Sequence, residues 1–177
     1  MIAVISDSHI PSRAKKIPEK FLEVVKEADK VVHCGDFVTK ETYDMLEQKS
    51  KEFIAVKGNC DRFHLPNSET FNIDDFSVGA YHGTGINPRG HHPTLLRIAD
   101  DLEVDVLIHG HTHEQETVKK QENLLLNPGS CTGVGGGSST DGKPEMLTFE
   151  VEASQVKVEL LEFDEGEVKK VEEIFEL

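Results

Sequence analysis

The sequence has few of the features that mark disulfide-stabilised, membrane-spanning or secreted proteins. Its three cysteines, Cys34, Cys60 and Cys131, form no Cys-x-x-Cys unit and cannot pair completely, which argues against a disulfide framework and a zinc ribbon. No apolar run approaches the roughly 18 residues that a membrane-spanning helix needs. The N-terminal segment lacks both the basic region and the cleavage site of a signal peptide, so we expect a cytoplasmic protein.

Positive charge is also scarce. The 177 residues include 19 Lys and Arg against 33 Asp and Glu, which gives a formal net charge of −14. This balance argues against a broad face that binds duplex nucleic acid. A small anionic substrate remains compatible with it, because bound cations can reverse the electrostatic field locally. The length suits one domain with a sizeable core, and we expect residues 1–177 to form a single domain.

Apolar runs and helical periodicities predict an α/β (α+β) protein. Helices are predicted after Pro18, after Thr39 and around Leu95, so the first two thirds of the chain resemble βαβ units. The later segments are joined by turns without helices between them, and we expect antiparallel strands there. The predicted strands are Ile2–Ser6, Lys30–His33, Phe53–Val56, Glu69–Ile73, Phe76–Tyr81, Val106–His109, Glu116–Lys120, Leu124–Leu126, Met146–Val151, Val156–Phe163 and Val168–Phe175.

Five of these strands are followed by side chains that can bind metal ions. The candidate ligands are Asp7, His9, Asp36, Asn59, His82, His111 and His113. Ligands of α/β sheets bind beyond the carboxyl ends of the strands, so residues far apart in sequence can meet there. Mixed nitrogen and oxygen ligation favours transition metals, and a carboxylate such as Asp36 can bridge two ions. We therefore expect two divalent ions, most of all Mn²⁺ and otherwise Zn²⁺, Fe²⁺ or Ni²⁺, in the arrangement that hydrolyses phosphoesters.

The order of these residues resembles that of a known family. Asp7-x-His9, Gly35-Asp36, Gly58-Asn59, His82-Gly83 and Gly110-His111-Thr112-His113 are similar to the five signature blocks of the calcineurin-like metallophosphoesterase superfamily. The short chain and the segment Asn127-Pro128-Gly129-Ser130 resemble its small single-domain phosphodiesterase branch of bacteria and archaea. The resemblance implies an αββα fold, in which two mixed β-sheets pack as a sandwich between helices. The small subunit of retromer, a trafficking scaffold, shares this fold.

The resemblance also implies roles for the candidate ligands. It assigns Asp7, His9 and His113 to one ion, and Asn59, His82 and His111 to the other. Asp36 would bridge the two ions together with a hydroxide that attacks the phosphorus atom. We interpret His33 and His109, which lie near the ends of two strands, as packed or supporting histidines rather than ligands.

The third block departs from the pattern of the larger phosphatases in the superfamily. Those enzymes carry a histidine after the asparagine, where this chain has Cys60. A thiol cannot replace the positive charge of an imidazolium beside a dianionic phosphate, so we expect diesters to be better substrates than simple alkyl monoesters. Asp61 is interpreted either as a residue that orients a histidine or as a solvated turn residue. Asp36, Asn59, Cys60 and Asp61 are the candidate catalytic residues.

Three arginines lie close to these blocks in the sequence and are candidate substrate contacts. A planar guanidinium can bind two phosphate oxygens at once, although an ordinary exposed position is the alternative for Arg13, Arg62 and Arg89 alike. The glycine-rich segment 133–143 is interpreted as a loop near the site that could contact the substrate.

The sequence thus predicts a metal-dependent phosphodiesterase that acts on a small phosphodiester. One alternative is a non-catalytic protein-interaction scaffold of the same fold. Scaffold members of that lineage have altered ligand positions, whereas every position is retained in this chain. Another alternative is a phosphomonoesterase or a nucleotide pyrophosphohydrolase, which would share the site and differ in substrate. We expect no membrane association, and the sequence leaves the oligomeric state open.

Overall fold

The computed structural model describes residues 1–137 and 142–177. Its helices are α1 (Glu19–Glu27), α2 (Lys40–Lys49) and α3 (His92–Asp101). Its strands are β1 (Ile2–Ile5), β2 (Lys30–His33), β3 (Phe53–Ala55), β4 (Ser68–Ile73), β5 (Phe76–Tyr81), β6 (Val106–His109), β7 (Gln115–Lys120), β8 (Asn123–Pro128), β9 (Glu145–Glu152), β10 (Gln155–Asp164) and β11 (Glu167–Glu176). Every predicted strand is confirmed, with each end within two residues of the predicted position.

The strands form two mixed β-sheets. The first has six strands in the order β11-β10-β9-β1-β2-β3, and the second has five in the order β4-β5-β6-β8-β7. In the first sheet, β1, β2 and β3 are parallel, while β9, β10 and β11 are antiparallel additions. The predicted fold class, with two mixed sheets and flanking helices, is confirmed.

The two sheets pack face to face because their strands are apolar on the inner face. Along β1, Ile2 and Val4 point into the interior of the sandwich and pack with residues of β6 and β8 such as Ile108. The alternate residues of β1 point the other way, toward a second cluster that includes Phe21 of α1. A strand buried on both faces reads as a continuous apolar run, and β1 does so. α3 covers the outer face of the second sheet through Leu95 and Ala99.

One part of the strand prediction is wrong. The strands after β6 were expected to be antiparallel, but β8 pairs parallel with β6. The chain turns back through β7, and β8 then enters the sheet between β6 and β7, where it runs in the direction of β6. The β7–β8 turn was visible in the sequence, whereas the choice of β6 as the neighbour depends on long-range packing.

This topology brings the ends of several strands to one edge of the sandwich. β1, β2 and β3 run parallel in the first sheet, and β5 and β6 run parallel in the second. The candidate ligands follow the carboxyl ends of these five strands. Among the helices in the described part of the chain, none is long and apolar enough to cross a membrane.

Candidate metal centre

The carboxylate of Asp36 lies at the centre of the clustered side chains. Its Oδ2 atom is 3.4 Å from Nε2 of His9 and 3.6 Å from Nε2 of His82. Its Oδ1 atom accepts a hydrogen bond of 2.7 Å from the backbone amide of Cys60, which fixes the rotation of the carboxylate. One oxygen of Asp36 is therefore directed between histidines from two different sheets, as a bridging ligand would be.

Asp7, His9 and His113 form a tight group on one side of Asp36. Oδ1 of Asp7 is 3.2 Å from Nε2 of His113, and the Nε2 atoms of His9 and His113 are 3.3 Å apart. Oδ2 of Asp7 accepts hydrogen bonds from the Ser6 hydroxyl and the His111 amide. Oδ1, in contrast, is buried and has no hydrogen-bond partner among the described residues. A buried carboxylate oxygen directed at two imidazole nitrogens fits a cation, because it otherwise loses its solvation without compensation.

Asn59, His82 and His111 lie on the other side of Asp36. Oδ1 of Asn59 is 3.3 Å from Nε2 of His82, and the rings of His82 and His111 are 5.0 Å apart, edge to face. His82 is buried, whereas Asn59 is exposed and His111 is partly buried. This group is consequently more open to solvent than the group around Asp7.

Backbone carbonyls orient two of the histidines. Nδ1 of His82 donates a hydrogen bond to the carbonyl of Cys34, and Nδ1 of His113 donates one to the carbonyl of Val134, both at 2.5 Å. A carbonyl can only accept, so Nδ1 carries a proton and Nε2 is the nitrogen that is directed into the cluster. Such outer hydrogen bonds are typical of histidines that bind metals.

The backbone at the strand ends adopts strained conformations. Left-handed φ angles occur at Asp7 (52°), His9 (47°), Asp36 (62°), His111 (70°) and His113 (65°). Each such residue other than glycine costs on the order of 1 kcal/mol or more, and such strain concentrates at functional sites. The strain turns the chain sharply after each strand, so that neighbouring ligands face the same space.

Two glycines of the predicted motifs are required by close approach of the chain. A Cβ atom on Gly58 would lie 2.1 Å from Oδ1 of Asp36, and one on Gly110 would lie 2.3 Å from the hydroxyl of Ser6. Both distances are far shorter than a van der Waals contact. These glycines let the β3 and β6 loops pack against the carboxylates of the first two loops.

The cluster carries ionised carboxylates and one strongly basic imidazole. Burial opposes the ionisation of Asp7, but the contact with His113 and the charge of His82 hold its pKa well below its ordinary value. Burial also opposes the protonation of His82, but the contact with Asp36 and the charge of Asp7 outweigh it and raise the pKa to about 9. Metal ligands must be deprotonated, so a cation bound at this position would displace the proton of His82.

Cys60 lies beside the cluster, whereas the side chain of Asp61 is bonded to the backbone of two loops. Burial and the charge of Asp36 raise the pKa of Cys60 to about 12, so the thiol is neutral at physiological pH. The carboxylate of Asp61 accepts backbone hydrogen bonds from Asp36 (3.0 Å), Val38 (2.9 Å) and Gly58 (2.8 Å). The interpretations of Asp61 as a histidine-orienting or solvated residue are therefore wrong, because it is buried and ties the β2 loop to the β3 loop.

Two of the three candidate arginines lie beside the cluster. Nη2 of Arg13 donates a hydrogen bond of 2.9 Å to the carbonyl of Gly135, and besides burial the charge of Arg13 lowers the pKa of His9. Burial lowers the pKa of His111 to about 4, and the charges of His82 and Arg89 act in the same direction. Arg62 is exposed, and among the described residues no hydrogen bond or ion pair joins it to the clustered side chains.

The interpretation of His33 and His109 as supporting residues is confirmed. His33 is buried, stacks on Phe37 with ring centroids 3.6 Å apart, and accepts a hydrogen bond from the amide of Gly35 at 3.1 Å. His109 is also buried, and its Nδ1 atom lies 3.2 Å from the side-chain amide of Asn127. Both rings fix the loops that carry the candidate ligands.

Ser130 is a supporting residue, which the sequence indicates only as the last residue of the segment Asn127-Pro128-Gly129-Ser130. Its hydroxyl donates a hydrogen bond to the carbonyl of Asp7 (2.8 Å) and accepts one from the amide of Val134 (3.1 Å). Because Val134 orients His113, Ser130 connects two candidate ligands of the same group. The glycine-rich segment does approach the site through Val134 and Gly135, as predicted, but its residues 138–141 lie outside the described part of the chain.

Two cavities adjoin the cluster. The larger, of about 490 Å³, borders Asn59 and is also lined by Lys57, Asn67 and Tyr81. The other, of about 270 Å³, borders Thr112, which lies between His111 and His113 in the chain, and is also lined by Arg89. Asn59, a candidate ligand, thus lines the larger cavity, and the smaller cavity is lined by a residue next to His111 and His113 in the chain.

Comparison with known proteins agrees with this geometry. The family model of the calcineurin-like phosphoesterase superfamily domain matches residues 1–154. A probable metallophosphoesterase of Methanocaldococcus jannaschii is 41% identical over 132 residues, which cover 75% of this chain and 68% of the relative.

Solved structures show the same architecture. Wild-type Vps29 of Entamoeba histolytica, crystallised with zinc, superposes with a TM-score of 0.88 at 31% identity, over 98% of each chain. Vacuolar Protein Sorting 29 of Cryptosporidium parvum gives a TM-score of 0.92 at 25% identity, over 99% of this chain and 97% of its own. With the family model covering most of its length, the chain belongs to the calcineurin-like phosphoesterase superfamily.

Proposed function

We propose that the protein is a phosphodiesterase that uses two divalent metal ions to hydrolyse a small phosphodiester. The observation that carries this proposal is the position of Asp36, whose Oδ2 atom faces His9 on one side and His82 on the other at 3.4 and 3.6 Å. A carboxylate between two groups of ligands is what a binuclear site requires, since one oxygen or both can be shared by the ions.

The residues on each side of Asp36 fit one ion each. Asp7, His9 and His113 would hold the first, and Asn59, His82 and His111 would hold the second. Two observations support this assignment: Oδ1 of Asp7 has no hydrogen-bond partner among the described residues, and the Nε2 atoms of His82 and His113 are directed into the cluster. Two ions bound in this way lower the pKa of water and neutralise charge on the phosphate oxygens. Nitrogen-rich ligation favours Mn²⁺ or Zn²⁺ over Mg²⁺.

A diester fits the surroundings of the cluster better than a monoester. A monoester dianion calls for an additional positive charge, which the neutral thiol of Cys60 does not supply. A diester carries one negative charge and two organic arms, and the cavities at Asn59 and Thr112 offer a place for each arm. Arg13 and Arg89 lie near the histidines and would bind the non-bridging phosphate oxygens.

The test is the hydrolysis of bis(p-nitrophenyl) phosphate and p-nitrophenyl phosphate in the presence of Mn²⁺. We expect the diester to be hydrolysed faster, and Asp36→Asn to lower its rate at least about 100-fold because the shared ligand loses its charge. Asp75→Asn, the same change at an exposed turn, should leave the rate unchanged. Faster hydrolysis of the monoester would contradict the diester preference, and an unaffected Asp36→Asn would contradict the metal mechanism.

A non-catalytic scaffold is the second candidate function, favoured by the similarity to Vps29 over 98% of both chains. A scaffold would show no turnover of any diester even when loaded with metal. A phosphomonoesterase or a nucleotide pyrophosphohydrolase would instead show metal-dependent turnover of its own substrates. A panel of phosphoesters with the metal-loaded protein and with Asp36→Asn therefore separates the three functions.

A further inference from the structure

The strand β11 (Glu167–Glu176) forms one edge of the six-stranded sheet. It pairs with β10 along its whole length, and the sheet ends there. Within residues 1–137 and 142–177, the large hydrophobic side chains that are exposed are Val171 (58%) and Ile174 (56%), and both lie on this strand. A long edge strand with exposed apolar side chains is a template for pairing with another strand.

The sequence of β11 is complementary to itself when it is read in the opposite direction. The segment Val168-Lys169-Lys170-Val171-Glu172-Glu173-Ile174 has two lysines on one side of Val171 and two glutamates on the other. The flanking residues, Val168 and Ile174, are both apolar. Reversal of the segment therefore exchanges lysine for glutamate and one aliphatic residue for another.

We propose that β11 pairs antiparallel with β11 of a second copy of this chain, around a two-fold axis at Val171. In this register Val171 lies opposite its own copy. Lys170 lies opposite Glu172, and Lys169 lies opposite Glu173. Opposite charges and aliphatic pairs directly across an antiparallel ladder stabilise it, and a two-fold axis makes each pair away from the axis occur twice. The two six-stranded sheets would become one continuous sheet.

The register of this pairing is set by the charges. A two-fold axis perpendicular to the sheet must pass through a residue, since paired side chains lie on the same face. An axis at Lys170 would place the two Lys170 side chains opposite each other, and an axis at Glu172 would do the same for the two Glu172 side chains. Like charges directly opposite destabilise a ladder, so the axis at Val171 is favoured over both neighbours.

The charged side chains of β11 also have partners within one chain, to which the pairs across the axis would be added. Lys169 contacts Asp164 at 2.5 Å, and Glu173 accepts a hydrogen bond from Thr117. Glu172 lies directly opposite Glu159 of β10, and this acidic pair is accompanied by Lys157 at 2.8 Å from Glu172 and Lys170 at 3.2 Å from Glu159. Lys170 of the second copy would approach Glu172 from the other side. A positive charge would then be added beside the acidic pair of Glu159 and Glu172.

The occupant is a second copy because the pattern matches itself. A strand of another protein would need the same order of aliphatic, acidic and basic residues in reverse. The proposal does not depend on the proposed hydrolysis, since β11 lies on the side of the sheet away from β1, β2 and β3, which carry candidate ligands.

The experiment is sedimentation velocity of the full chain over a range of concentrations. The wild-type chain should form a dimer, and Lys169→Glu with Lys170→Glu should raise the dissociation constant at least about tenfold, as should Glu172→Lys with Glu173→Lys. The control is Lys15→Glu with Lys16→Glu, which changes the net charge equally at two exposed residues and should leave the dimer intact. Circular dichroism checks that each variant is folded.

The decisive sample is an equimolar mixture of the two charge-reversed variants. Every lysine then faces a glutamate again, so the mixture should form a heterodimer while each variant alone is monomeric. A wild-type chain that is monomeric at all concentrations would overturn the proposal. Variants that dimerise alone as well as wild type, or a mixture that stays monomeric beside a dimeric wild type, would overturn it as well.

Discussion

The substitution Asp61→Asn tests how the structure holds in place Asp36, whose carboxylate is the proposed bridging ligand. Asp61 accepts three backbone hydrogen bonds, from Asp36, Val38 and Gly58, at 2.8 to 3.0 Å. An asparagine of the same shape keeps one oxygen and replaces the other with an NH₂ group. Whichever way the amide is turned, a donor then faces a buried backbone N–H.

The magnitude follows from the hydrogen bonds that are lost. A hydrogen bond to a charged group contributes about 1.5–3 kcal/mol, and an unsatisfied buried donor costs about 1–3 kcal/mol. We expect a loss of about 2–4 kcal/mol in the free energy of unfolding. Because the backbone of Asp36 and the loop of Asn59 are both released, the affinity for Mn²⁺ should also fall about 10–100-fold, as for other residues that orient metal ligands.

A matched control separates these two effects. Asp105 accepts hydrogen bonds from the amide (2.8 Å) and hydroxyl (2.7 Å) of Ser77, and it precedes β6, at the end opposite the candidate ligands. Asp105→Asn should lower stability without changing Mn²⁺ affinity. Urea denaturation of each variant gives its free energy of unfolding, and isothermal titration gives its affinity for Mn²⁺. The reasoning is refuted if Asp61→Asn binds Mn²⁺ as tightly as Asp105→Asn does.

Three further predictions concern single side chains. Ser130→Ala should weaken Mn²⁺ binding about tenfold, because Asp7 and Val134 lose a shared hydrogen-bond partner. The control is Thr132→Val, which removes a hydrogen bond to the carbonyl of Ser8. An equal loss of Mn²⁺ affinity in both variants would contradict the prediction. Cys60→His should raise the ratio of monoester to diester hydrolysis, and an unchanged ratio would show that a charge at this position is irrelevant. Burial raises the pKa of Glu145 from 4.5 to about 7. Protonated Glu145 therefore contributes its full share of the folding stability below pH 4.5, and this contribution is lost as the pH rises through 7. The free energy of unfolding of Glu145→Gln, measured from denaturation curves, should therefore exceed that of the wild type by about 1–2 kcal/mol at pH 8 and equal it at pH 4.5. This magnitude allows for partial exposure of the side chain.

The strands and the approximate location of the site could be predicted from local sequence. Apolar runs such as Val106–His109 are long enough to define a strand, and the polar residues after them mark its carboxyl end. The sheet order could not be predicted in the same way, since the placement of β9 beside β1 joins residues far apart in the chain. Such pairings depend on how the whole core packs.

The supporting residues of the site were the least predictable part. Asp61 lies two residues after a candidate ligand and resembles a turn residue. Its carboxylate nevertheless is buried and accepts hydrogen bonds from three backbone amides of two loops. The hydroxyl of Ser130 meets Asp7 across 123 positions of sequence. Side-chain to backbone contacts of this kind leave no periodic signal, because any residue can supply the backbone group.

The central proposal is that side chains from five strand ends hold two metal ions. The most direct measurement is the number of Mn²⁺ ions bound per chain, by isothermal titration of metal-free protein. We expect two for the wild-type chain, and one each for His113→Ala and His82→Ala, which remove a ligand from opposite sides of Asp36. Binding of no ion by the wild-type chain, or an unchanged number in both variants, would contradict the account.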